Sequence, residues 1–167
     1  MGRGMVRTEQ FKAVFEQVGP ALMELFNQGQ GMQPMMLWVK LDSREDMHVS
    51  AAGQVAEQGA ISRLFKEGVA QDLMPLMVTD LLKTAQVPDE LGGGGIDAVV
   101  VAGEMSLRGM GGEQSEVRDG LGIWVHSNDR TEWACLPVAM EGGKRTCKWI
   151  EMVLSDSGRT GRLTMKP

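Results

Sequence analysis

The stretch "LGGGGIDAVVVAGEMSLRGMGG", residues 91–112, divides this chain into a helical part and a sheet part. Four consecutive glycines cannot continue a helix cheaply, so residues 92–95 end whatever helix precedes them. The β-branched block "IDAVVVA" that follows reads as a buried strand. Glycine-rich runs also cradle phosphates, but that use needs the order strand, glycines, helix, with amides and helix dipole facing the anion. Here the glycines come before the strand, and a flexible connection from helix to sheet is the expectation.

The second glycine group, "GEMSLRGMGGEQSEVRDG" at residues 103–120, does follow a strand. It lacks the Gly-Lys-Ser/Thr ending of a nucleoside-triphosphate loop, and no apolar helical stripe comes after it. It reads as a long loop inside a hairpin. Loops beyond about 12–15 residues are uncommon in compact domains unless they are functional or disordered. This one carries Glu104, Ser106, Arg108, Glu113, Glu116, Arg118 and Asp119.

Upstream, Phe11, Val14, Phe15, Val18, Leu22, Leu25 and Phe26 recur at three- and four-residue steps, the stripe of an amphipathic helix with Thr8 as its N-cap. Gly19-Pro20 predicts a kink or two short helices. "PMMLWVKLDSREDMHVSAA" reads as a hairpin, with Leu37, Val39 and Leu41, and then Met47, Val49 and Ala51, directed to the core, and Lys40 and His48 outward beside Trp38. Residues 54–86 return to helical spacing through Ile61, Leu64, Phe65, Val69, Leu76, Leu81 and Leu82, with Pro75 between two parts, as two helices or one kinked helix.

Downstream, "GLGIWVHS", "EWACLPVAM" and "RTCKWIEMVL" continue as strands. The expected fold is α+β: a mainly antiparallel sheet, a hairpin plus four consecutive C-terminal strands, with two helical segments packed on one face. A chain of 167 residues fits a single α+β domain over residues 1–167, with residues 1–7 and 156–167 read as tails.

Apolar residues at 43% and charged residues at 23% are near globular averages. No apolar run has the length of a membrane span and no secretory h-region opens the chain, so a cytoplasmic protein without membrane contact is expected. Val6 stands where a myristoylation signal would have Ser or Thr. The net charge of -5 argues against a nucleic-acid partner. The distribution is uneven: residues 144–167 hold six Lys/Arg against two Asp/Glu, a balance that Arg159, Arg162 and Lys166 would carry if nucleic acid were bound after all.

The chemistry that can be named is sparse. A hairpin of residues 96–105 and 121–128 puts Glu104 and His126 about 17 Å apart, too far for an acid–base pair. His48 reads as an exposed strand residue. Two Cys and two His without paired spacing give no zinc site, and no metal or other cofactor is expected. A Gly142-Gly143 turn sets Cys135 opposite Ile150 and Cys147 opposite Val138, leaving two free thiols on opposite faces. Met32, Met35 and Met36 could suggest Cu(I), but Met35 and Met36 in a strand point to opposite sides, so packing explains them better. No Gly-x-Ser-x-Gly elbow occurs.

All four tryptophans fall on expected strands. The same turn places Trp133 and Trp149 on opposite sheet faces, and a sheet apolar on both faces requires a second cover. A homodimer is an economical source of one, with Trp38, Met36, Trp133 and Trp149 as its interface; another protein partner stays open. The functional expectation is a non-catalytic binding, regulatory or assembly domain that self-associates. The alternative is an enzyme whose cleft is bounded by the 103–120 loop, with Glu104 as acid or base and Arg108 or Arg118 orienting an anionic substrate.

Overall fold

The computed structural model describes residues 8–29, 31–42, 49–55, 70–108, 117–128 and 130–147. Within them the chain forms helix α1 (Thr8–Gly29), strands β1 (Met35–Leu41) and β2 (Val49–Gln54), and helix α2 (Ala70–Thr84). Strands β3 (Ala98–Arg108), β4 (Val117–His126), β5 (Thr131–Glu141) and β6 (Lys144–Cys147) follow. The strands make one six-stranded sheet in the order β2-β1-β3-β4-β5-β6, antiparallel throughout. The fold is α+β with an antiparallel sheet, as the segment pattern predicts. Residues 1–7 and 156–167, and with them Arg159, Arg162 and Lys166, lie outside the described residues.

The two helices do not share a face. Phe11, Val14, Phe15, Val18, Leu22 and Phe26 of α1 pack on Met35, Val39 and Leu41 of β1, Ala98, Val100 and Ala102 of β3, and Leu121, Ile123 and Val125 of β4. Val78 and Leu82 of α2 join Met36, Val99, Val101 and the half-buried Trp38 and Trp124, which point the opposite way. This corrects the one-sided packing expected above. The physical reason is the continuous apolar run of β3: successive residues of a strand alternate faces, so Val99 and Val101 need a cover of their own once Val100 and Ala102 are buried under α1.

Helix α1 is one helix through Pro20, not two. Pro75 likewise falls inside α2, so no helix boundary lies at it. The stripe also contains misassigned members, because Leu25 and Leu76 are exposed. Residues 43–48 and 56–69, which include Met47, His48, Ile61, Leu64, Phe65 and Val69, lie outside the described residues.

The four glycines are not a loose connector. Gly92, Gly93 and Gly94 all have positive φ, at 111°, 65° and 81°, a region that L side chains rarely adopt. They close a compact turn after a short 3-10 helix (Asp89–Leu91). Val87 N–H donates to Gly94 C=O at 2.7 Å and Gly93 N–H to Pro88 C=O at 3.1 Å. Lys40 Nζ then donates to Gly95 C=O at 3.1 Å, fastening the turn to β1. Glycine is required here for backbone shape, not for flexibility.

The 103–120 segment is also reassigned. Glu104 pairs with Leu121, Met105 with Gly120, and the ladder runs on to Arg108 opposite Val117. Two long strands therefore replace most of the expected loop, and only residues 109–116 lie outside the described part. The β5–β6 turn agrees with expectation: Glu141 opposes Lys144 around Gly142-Gly143, and Val138 opposes Cys147.

One close approach has a direct consequence. Gly53 of β2 opposes Trp38 of β1, and a Cβ on Gly53 would lie 2.7 Å from the indole ring. Gly53→Val should therefore displace Trp38 from beneath α2 and lower unfolding stability by about 1–3 kcal/mol. Denaturant titration followed by tryptophan fluorescence checks this; a midpoint equal to that of the parent protein would show that the indole moves aside freely.

Candidate functional site

Glu104 lies on the α1 face of β3, in line with Ala98, Val100 and Ala102. Its Oε1 accepts from Arg145 Nη2 of β6, and its Oε2 accepts from Met32 N–H at 3.3 Å. The carboxylate and guanidinium are about one quarter exposed, at 22% and 29%. A Cβ added at Gly31 would sit 3.2 Å from Glu104 Oε2 and 3.3 Å from Arg145 Nη1, so the main chain leaving α1 rests directly on the ion pair. The Arg145 guanidinium also lies over the Phe26 ring, 5.4 Å from its centre.

Arg108 and Arg118, expected to orient an anionic substrate beside Glu104, have side chains outside the described ones. Arg108 and Arg118 pair in the ladder with Val117 and Leu107. Arg108 is four residues beyond Glu104, about 13 Å along the strand. Among the described residues Arg145, which the sequence reading did not single out, reaches the carboxylate. Its position was partly legible: the Gly142-Gly143 turn sets the register that places Arg145 two residues from the inward Cys147. That β6 lies close enough to meet β3 side chains depends on the helix between them.

His126 is remote from Glu104. It opposes Val99, whereas Glu104 opposes Leu121, five residues earlier on β4. An odd separation also puts the two on opposite faces. His126 Nδ1 shares a 2.9 Å hydrogen bond with Thr131 Oγ1, and burial pushes its pKa down from 6.5 to about 4.

A second carboxylate–guanidinium pair was missed altogether. Glu132 is fully buried on the α1 face of β5, its Oε1 accepting from Arg130 Nη2. The Arg130 guanidinium stacks 4.7 Å above the Phe11 ring. The signal was available, since Glu132 shares its strand phase with the buried Ala134 and Leu136. An acidic residue in an inward phase requires a cation nearby.

Of the residues proposed for an interface, Met36 is buried under α2 within the same chain and Trp38 is half-buried beside it. This corrects Met36 as a surface residue. Trp133 is half-buried opposite Trp124, and Trp149 lies outside the described residues. Cys135 and Cys147 are free thiols on opposite faces, both pushed up to about 11 by burial. Met35 and Met36 belong to the two separate cores. No cluster of His, Cys, Asp and Glu among the described residues could hold a metal ion, and no described helix is long and apolar enough to cross a membrane.

Comparison with protein-family models, with curated proteins and with solved structures gives no match.

Two measurements test this arrangement. Glu104→Ala removes the carboxylate that Arg145 meets beside Phe26 and frees Met32 N–H, and should cost about 2 kcal/mol of stability, with Glu104→Gln costing about half as much. Equal stability of all three proteins in urea would show the pair to be idle. His126 has a folded-state pKa below its unfolded value, so the unfolded chain binds the extra proton. Its contribution is complete above about pH 6.5 and is lost as pH falls toward 4. Between those values the parent protein should lose up to about 1.4 kcal/mol per pH unit relative to His126→Gln. Parallel thermal melts of the two across that window would contradict it.

Proposed function

We propose that the protein is a non-catalytic binding or assembly domain that associates with a second copy of itself. The observation that carries this reading is the engagement of Glu104. Both carboxylate oxygens are used by Arg145 and Met32 of the same chain, so the one acid named for an enzyme acts as a fastening between β3, β6 and the α1–β1 connection. His126 is held neutral on the other face with Thr131 as its partner, which leaves the two groups without a shared substrate position.

Large apolar side chains on the surface support the assembly part. Leu25, Leu76, Leu91 and Met140 are each at least half exposed. Single exposed apolar residues are ordinary, but these four come from both helices, the 3-10 turn and β5, so apolar surface is offered by several elements. Nucleic acid ranks last as a partner, given a net charge of -5. A reducing cytoplasm suits the two free thiols.

Sedimentation or light scattering from micromolar to millimolar concentration checks the reading. A mass rising to twice that of the chain is the expected outcome; a strict monomer throughout would remove self-association.

A further inference from the structure

The two edges of the sheet are not equivalent, and the difference points to how copies would join. At the β6 edge, Asn27 of α1 donates through Nδ2 to Cys147 C=O at 3.1 Å and accepts Cys147 N–H through Oδ1 at 2.9 Å. A side-chain amide thus occupies the place that a neighbouring strand would take. At the β2 edge, Gln17 Oε1 of α1 accepts Val49 N–H at 2.8 Å. Beyond that residue the edge is bare among the described residues.

The direction of each β2 main-chain group follows from the ladder. Val55 N–H donates to Met36 C=O, so Val55, Gly53 and Ala51 face β1. Val39 C=O accepts from Asp97 N–H on the β3 side, which independently makes its partner Ala52 face away from β1. Ala52 and Gln54 therefore aim N–H and C=O outward, and both residues are exposed. Strand edges of this kind are ordinarily blunted by Lys, Pro or a covering element. "VSAAGQ" contains no charge and no proline, and its middle residues Ala51, Ala52 and Gly53 offer almost no steric barrier.

We infer that the β2 edge is a strand-pairing surface for a second copy of this chain, joined antiparallel about a two-fold axis at Gly53. In that register Ala52 of each copy opposes Gln54 of the other. Each such pair exchanges two main-chain hydrogen bonds, so all four outward groups of each strand are used. Gly53 meets its own counterpart at the axis, where the absence of a side chain allows close approach. The arrangement is isologous and closes at two copies, because the two-fold axis uses the β2 edge of both. It rests on the self-association proposed above and specifies its surface.

Ala52→Pro removes an amide that makes no bond to β1, and proline is tolerated on the outer side of an edge strand. The variant should keep the parent's circular dichroism and weaken dimerisation at least about tenfold, since two hydrogen bonds are lost per dimer. Hydrogen exchange on the parent provides a second measurement that needs no variant. The Ala52 and Gln54 amides should become slower to exchange as protein concentration rises, while the exposed Ser50 side of the strand changes less. A dimer that persists in Ala52→Pro, or Ala52 and Gln54 amides whose exchange ignores concentration, would overturn the β2 surface while leaving self-association standing. A parent protein that stays monomeric to millimolar concentration would overturn both.

Discussion

Helix α1 lies across the sheet, and the remaining structure depends on that placement. Between Gln17 and Asn27 the helix rises about 15 Å, whereas six strands laid flat span about 24 Å. Gln17 nevertheless bonds the β2 edge and Asn27 bonds the β6 edge. The short Asn side chain can reach a main chain only if β6 is drawn up toward the helix. Six apolar residues, Phe11, Val14, Phe15, Val18, Leu22 and Phe26, fill the space between helix and strands. Burying the three phenylalanines and their aliphatic neighbours stabilises this layer by roughly 1.5–3 kcal/mol per side chain.

The same placement turns charged residues into structural ones. Arg130 stacks on Phe11 while pairing with Glu132; Arg145 stacks on Phe26 while pairing with Glu104. Each guanidinium lies over an aromatic ring near one end of α1 and also pairs with a carboxylate, a combination suited to Arg more than to Lys. Taking such pairs out of water costs several kcal/mol per ion, which attraction and hydrogen bonds offset only when the geometry is kept. They consequently add little net stability but penalise any movement of α1 that separates them. Glu104, the residue that stood out in sequence as a potential acid, meets Arg145 and accepts from the Met32 amide.

The glycines mark where local and global reasoning part. Four in a row read correctly as the end of the helical half, because helix propensity is a local property. Their conformations are another matter: positive φ at Gly92, Gly93 and Gly94 serves a turn closed by Val87, Pro88 and Lys40, and Lys40 comes from a strand more than fifty residues away. Likewise "GEMSLR" and "VRDG" look loop-like in isolation since glycine and charge dominate them. They become strand because each continues a ladder whose register the neighbouring "VVVA" and "IWV" blocks already set.

Periodicity by itself determined the element order, the α+β class, the hairpin positions, the β5–β6 turn and the opposite faces of Met35 and Met36, since these depend only on the alternation or helical repeat of nearby residues. The tertiary structure alone decided that the helices cover opposite faces, that Leu25 and Leu76 leave the apolar stripe for the surface, and that Arg145 meets Glu104. Those outcomes require knowing which strands are neighbours and where a helix crosses them. Pairing of side chains far apart in the chain is a property of the assembled sheet, and no short window of sequence contains it.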